Sequence, residues 1–231
     1  MLRNQDTVIT RPEAVNAFMR GVYLWMSIGL AVTALLAYAA ITAFSRYELF
    51  QYRYVFFGLI IAEFLLVIAL SSAIHRMSAF TATALFLLYS GLNGVTIAPV
   101  LLVYTNASVF QAFLTAAGMF GAMSVYGMVT QRNLTGMGSF MMMGLFGIII
   151  AMVVNIFVQS SALSLGISIL GVFIFLGLTA YDTQKLRVMG ESAPMDDQTA
   201  VQRGAILGAL TLYLDFINIF LFLLRLMGDR R

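Results

Sequence analysis

The sequence predicts an all-α integral membrane protein of seven transmembrane helices. Three observations predict it. Of 231 residues, 61% are hydrophobic and only 10% charged, whereas a soluble domain carries about 25% charged residues. Seven apolar runs follow one another, each of 19 residues or more and so long enough to cross ~30 Å of hydrocarbon as a helix. Connections such as Tyr104–Ser108 and Gln159–Ala162 are only four or five residues long, which leaves no room for a domain outside the bilayer.

Residues 1–17 read as a short polar tail, with Arg3, Asp6, Arg11 and Glu13, and no cleaved signal peptide is expected. Residues 18–231 form the seven-helix domain. The first run is Phe18–Phe44, with Tyr23 and Trp25 near its entry, where aromatic rings favour the membrane interface. The second, Val55–Ile74, carries Glu63 and is followed by His75 and Arg76. The third, Phe80–Val103, holds Asn93 and Thr96 at i and i+3, a small polar face. The fourth is Val109–Val129 and the fifth Met137–Val158. The sixth is Leu163–Tyr181, ending at Asp182. The longest connection, Asp182–Arg203, separates it from the seventh, Gly204–Met227. Glycines at 118 and 121, 144 and 147, and 166 and 171 are expected to let helices pack closely.

Lysine and arginine set the expected orientation. With the N-terminus in the cytoplasm, that side holds eight basic residues (Arg3, Arg11, Arg20, Arg76, Arg132, Lys185, Arg187, Arg203). The other holds five (Arg46, Arg53, Arg225, Arg230, Arg231). The bias favours a cytoplasmic N-terminus, and the basic C-terminus on the opposite side is its awkward feature. The chain has no cysteine and a single histidine, His75. That excludes a disulfide, a thiolate nucleophile, a Cys-ligated metal or a His cluster.

The seventh run carries the strongest functional signal. Gly204, Gly208, Thr211, Asp215, Asn218, Phe222 and Arg225 recur at steps of four and three. They form a largely small or polar stripe on an otherwise apolar helix. An ionised carboxylate at the centre of a span costs roughly 2.5–3.5 kcal/mol on insertion scales. The helix is therefore expected to be enclosed by protein, with Asp215 in a functional site or a polar network. Asp182 has two readings: an interfacial residue paired with Lys185 or Arg187, or a partner of Asp215. At ~5 Å, with an effective dielectric of ~20, two carboxylates repel by roughly 3 kcal/mol. Such a pair shares a proton and titrates as a unit. Deprotonated, it attracts a hard cation such as Ca²⁺, and Arg76, at the end of the second helix, is placed to reach it. Glu63, Asn93 and Asn218 are candidates to line a pore or hold the bundle together.

The stretches Leu178-Thr179-Ala180-Tyr181-Asp182-Thr183-Gln184-Lys185-Leu186 and Leu210-Thr211-Leu212-Tyr213-Leu214-Asp215-Phe216-Ile217-Asn218 resemble the signatures of the transmembrane Bax-inhibitor-motif family, in its bacterial branch. Tyr89-Ser90-Gly91-Leu92-Asn93-Gly94 and Gly118-Met119-Phe120-Gly121-Ala122 are similar too. The resemblance spans the whole chain. It implies six helices surrounding a central seventh, and a pH-sensitive calcium leak in which Asp182 and Asp215 are the sensing pair and Arg76 the latch. Calcium would be the permeant or bound ion, with no other cofactor. It also leaves a second function open, a non-conducting regulator of a membrane-bound ATP-dependent protease or another membrane complex. An enzyme is not expected. The two aspartates resemble the plan of presenilin-type proteases, but Leu212-Tyr213-Leu214 stands where those carry Gly-x-Gly, and no proline precedes Ala-Leu. A bacterial inner membrane is the expected location.

Overall fold

The computed structural model describes residues 11–44, 53–192 and 197–230. The first ten residues of the expected tail, Arg46 and Arg231 lie outside them. Seven long helices account for nearly all of what is described. They are α1 (Arg11–Ala43), α2 (Arg53–Ala73, prolonged by a 3-10 turn at Ile74–Arg76), α3 (Ala79–Val103), α4 (Asn106–Val129), α5 (Thr135–Val158), α6 (Ser161–Glu191) and α7 (Gln198–Met227). Each contains a window apolar enough to cross a membrane. The starts are set by side-chain caps that satisfy otherwise orphaned amides. Ser78 Oγ accepts from Thr81 N at 3.0 Å, Thr105 Oγ1 from Ser108 N at 3.2 Å, Ser160 Oγ from Leu163 N at 3.2 Å and Asp197 Oδ1 from Ala200 N at 2.9 Å.

Three helices run well past their apolar stretches, and α1 begins at Arg11, seven residues before Phe18, so that residues 11–17 of the expected tail are helix. α6 continues ten residues past Tyr181, and α7 begins six residues before Gly204. The expected 22-residue connection Asp182–Arg203 is thus mostly helix, with residues 192–197 between the two ends. Hydropathy marks only the part of a helix that sits in hydrocarbon. The helix itself persists until a cap ends it.

Burial is uneven. In α7, 72% of the apolar window is buried, against 11% in α2 and 6% in α5. The main packing partners of α7 are α1, α3, α4 and α6, while α2 lies chiefly on α3 and α5 on α6. Aromatic rings fill the α4–α7 seam: Phe113 and Phe120 meet Phe216 edge-on, with centroids 5.4 and 5.7 Å apart. The outer helices expose Phe146, Ile156 and Phe157 on α5 and Phe57 and Phe64 on α2, surfaces suited to lipid.

The close approaches between helices are not where the glycine pairs suggested. A Cβ on Gly118, Gly121, Gly147 or Gly166 would meet nothing within 4 Å. These glycines sit on open faces, as glycine in membrane helices commonly can. Of the six, only Gly144, against Ile174, and Gly171, against the Phe222 ring, face a neighbouring helix closely. The tightest crossings involve Gly94, where a Cβ would strike the Thr33 carbonyl of α1, and Gly127, where it would strike the Ala180 carbonyl of α6. Backbone cannot yield as a side-chain tip can.

Gly94→Val and Gly127→Val are therefore expected to lower the thermal midpoint of the purified protein in detergent. The cost of overpacking is typically about 1–3 kcal/mol. Gly118→Val should leave the midpoint unchanged within error. Equal effects from all three would contradict this packing.

Candidate functional site

α6 and α7 run antiparallel, and the polar stripe of α7 faces α6. Added Cβ atoms locate the register: Gly204 approaches Met189, and Gly208 lies against Leu186. One turn and more along, Thr179 lies beside Asp215, its hydroxyl donating to the Phe175 carbonyl at 2.7 Å, and Asp182 is a neighbouring like charge to Asp215. Further on, the Phe222 ring covers Gly171 and stacks, tilted, on Phe175 with centroids 6.0 Å apart. Thr179 is level with Asp215. Asp182 is three residues, or ~4.5 Å at 1.5 Å per residue, nearer the α6–α7 connection. The early start of α7 and the long α6 are what bring the two aspartates this close.

Both carboxylates are buried: Asp215 is 4% exposed and Asp182 9%. Asp182 is not paired at the interface with Arg187. That guanidinium donates to the Met128 carbonyl at 2.7 Å and lies 3.7 Å from Glu191. Lys185 is the cation that acts on Asp182. Four buried side-chain polar atoms have no hydrogen-bond partner among the described residues: Asp215 Oδ2, Thr183 Oγ1, Ser124 Oγ and Arg187 Nε. Thr183 follows Asp182 on α6, and the β-carbon of Thr183 closes on Gly127 of α4, one turn from Ser124. Ser124 and Thr183 thus mark the crossing of α4 and α6. Two carboxylates and several hydroxyls are hard-oxygen chemistry, suited to a proton or a hard cation. Among the described residues no group of three or more His, Cys, Asp or Glu could hold a metal.

Arg76 lies in the 3-10 turn after α2, exposed, and has no bond to Asp182 or Asp215 in this conformation. The arginine that ties this corner together is Arg203 of α7, whose Nη1 donates to the Met77 carbonyl at 3.2 Å. The side chain of His75 lies outside the description. Asn218 spends its amide on the Leu214 carbonyl of its own helix, at 2.8 Å, and joins neither aspartate.

Glu63 and Asn93 do come together. Thr96 Oγ1 donates to Glu63 Oε1 at 2.7 Å, and Asn93 Nδ2 to Glu63 Oε2 at 3.4 Å. Asn93 Oδ1 accepts from the Tyr213 hydroxyl at 3.1 Å, and that hydroxyl is 2.7 Å from Thr33 Oγ1. Thr33 Oγ1 also lies 2.8 Å from the Ser90 carbonyl. A single buried network therefore runs across α2, α3, α7 and α1. Tyr213 is fully buried between the rings of Phe86 and Tyr89.

Sequence reasoning did not single out Tyr213, Thr33, Thr183 or Ser124. Tyr213 carried a usable signal, since a phenol two residues from an intramembrane carboxylate needs a partner of its own. Gln184 was also missed as a fastener: its Oε1 accepts from Leu134 N and its Nε2 donates to the Arg132 carbonyl, both at 2.8 Å.

Comparison with known proteins places this architecture. The inner membrane protein YbhL of Escherichia coli is 48% identical over 227 residues, covering 98% of this chain and 97% of its own. An uncharacterized protein of Borreliella burgdorferi is 48% identical, with 94% of this chain and 93% of its own covered. Protein RP147 of Rickettsia prowazekii is 43% identical, at 96% and 93%. The family model described as "Inhibitor of apoptosis-promoting Bax1" matches residues 15–231. With that match over nearly all of its length, the chain belongs to the Bax inhibitor family of membrane proteins.

Proposed function

We propose that this protein is a pH-sensitive calcium leak channel of a bacterial inner membrane, with its N-terminus in the cytoplasm, gated by protonation of Asp182 and Asp215. It is not an enzyme in this reading and needs no cofactor beyond the ion it passes. The observation that carries the proposal is the enclosed carboxylate pair on α6 and α7, with one oxygen of Asp215 lacking a partner. A fully satisfied structural network would leave no such oxygen. Membrane location follows from the seven apolar helices, and the inner membrane from the name of the Escherichia coli relative.

With one proton between them, the two carboxylates attract each other, and α6 and α7 stay closed. Losing that proton leaves two like charges at close range and favours separation of the helices. The parted site then offers oxygen ligands to Ca²⁺. Arg76, free of the pair in this conformation, would meet a carboxylate in another.

Calcium flux into liposomes holding the purified chain, read between pH 5 and pH 8, tests the gate. Wild type should show a flux that varies with pH, and Asp215→Asn a flux that no longer does. If no flux exceeds that of empty liposomes at any pH, the channel is excluded. The protein would then be a non-conducting regulator, to be pursued by crosslinking to a membrane-bound protease or another membrane complex.

The network on the other side of α7 should separate from the gate. Tyr213→Phe leaves Asn93 Oδ1 and Thr33 short of a partner, at a cost of about 1–3 kcal/mol. The expected outcome is a lower thermal midpoint with the pH dependence of the flux retained. A flux that lost its pH dependence at unchanged stability would place Tyr213 in the gate itself.

A further inference from the structure

The end of the bundle that carries the C-terminus holds a polar cavity continuous with an apolar groove. The cavity, about 420 Å³, is lined by Arg225, Arg230, Asn155, Gln159, Ser161 and Ser164. The groove, about 540 Å³, shares Arg225, Arg230 and Ser164 with it and passes along Val100, Val103 and Leu221. Neither guanidinium has an ion pair or hydrogen bond to another described residue, and both are exposed. Their positions are nonetheless set by ordered backbone. Arg225 ends α7. Arg230 forms an antiparallel bridge with Tyr104, while Thr105 N donates to the Asp229 carbonyl at 3.0 Å and Asp229 N to Ser108 Oγ at 2.9 Å. Asp229 is the one acidic residue from Arg225 to the end of the chain.

We propose that this cavity and groove bind an anionic phospholipid, its phosphate between Arg225 and Arg230 and an acyl chain along Val100, Val103 and Leu221. The depth fits. Arg225 is ten residues beyond Asp215, ~15 Å along the helix, which is half the ~30 Å hydrocarbon thickness. With Asp215 near the midplane, Arg225 reaches the headgroups. The chemistry fits as well. Two guanidinium forks match phosphate oxygens, and Ser161 lies in the first turn of α6, whose N-terminal amides favour an anion. Basic pockets between membrane helices are a recurring way to hold anionic headgroups. The site gives the basic C-terminus, against the charge bias of the rest of the chain, a partner in the lipid. It stands independently of the proposed leak.

Native mass spectrometry of the full chain, released from micelles with equimolar phosphatidylglycerol and phosphatidylcholine, tests the site. Wild type should keep phosphatidylglycerol preferentially. Arg225→Gln with Arg230→Gln should cut that retention by about fivefold per arginine, down to the level of phosphatidylcholine. Equal retention of the two lipids by wild type would overturn the proposal, as would undiminished phosphatidylglycerol on the double variant. Complete displacement of the lipid by inorganic phosphate would overturn it in favour of a soluble anion. A thermal midpoint of wild type that rises with phosphatidylglycerol but not phosphatidylcholine is expected independently of any variant, and its absence would also count against the site.

Discussion

Asp215 is a carboxylate on the most enclosed helix of a membrane bundle, and much of the packing answers to it. Left facing lipid at the centre of a span, a charge would cost roughly 2.5–3.5 kcal/mol. Four helices close around α7 instead. Gly204 and Gly208 let α6 and α1 approach on the side that leads to the carboxylate. Once the polar atoms are enclosed, the lipid-facing sides of the outer helices need no polar residues. α5 can stay almost bare because lipid, unlike water, solvates Phe146 and Phe157 at no cost.

α7 is polar on two sides. Tyr213 and Asp215 are two residues apart, ~200° around the axis at 3.6 residues per turn, and so point in nearly opposite directions. Tyr213 fastens α7 to Thr33 and Asn93, and through Asn93 to Glu63. Asp215 faces α6. One side of the helix is satisfied through several bonds, while the other keeps an oxygen without a partner. A displacement that opened the α6–α7 seam would leave the Tyr213 side intact if α6 moved, and strain it if α7 moved. In the proposed gate, α6 is therefore the element that can move without breaking the Tyr213 network.

The apolar runs made the seven helices legible, because lipid imposes one length and one composition on each. The stripe through Gly204, Gly208 and Asp215 was legible because spacing of three and four is a property of the helix itself. What faces the stripe was not. Thr179 and Thr183 look alike in sequence, and only the folded helix separates the one whose hydroxyl bonds the Phe175 carbonyl from the one left without a partner. Tyr213 passed for one more aromatic in a run rich in them. Gly118 and Gly121 read as a packing motif but face open space, whereas Gly94 and Gly127 sit under a neighbouring backbone. Spacing reports which residues share a face. It does not report what that face meets.

The magnitude of the interaction at the pair bears on whether it can gate. The cavities at the two ends of the bundle, one at Arg132, Tyr181 and Gln184 and one at Arg225 and Arg230, are lined by neither aspartate. In the proposed leak, an ion would pass the pair only once α6 and α7 had parted. Two charges at ~5 Å in an effective dielectric of ~20 repel by roughly 3 kcal/mol, which shifts a two-state equilibrium by about 150-fold. That moves a conformation populated at about one part in a hundred to a slight majority, and no more. A gate built on this pair alone would thus be graded across its titration rather than all-or-none. A steeper response would require a further charge to enter on the open side.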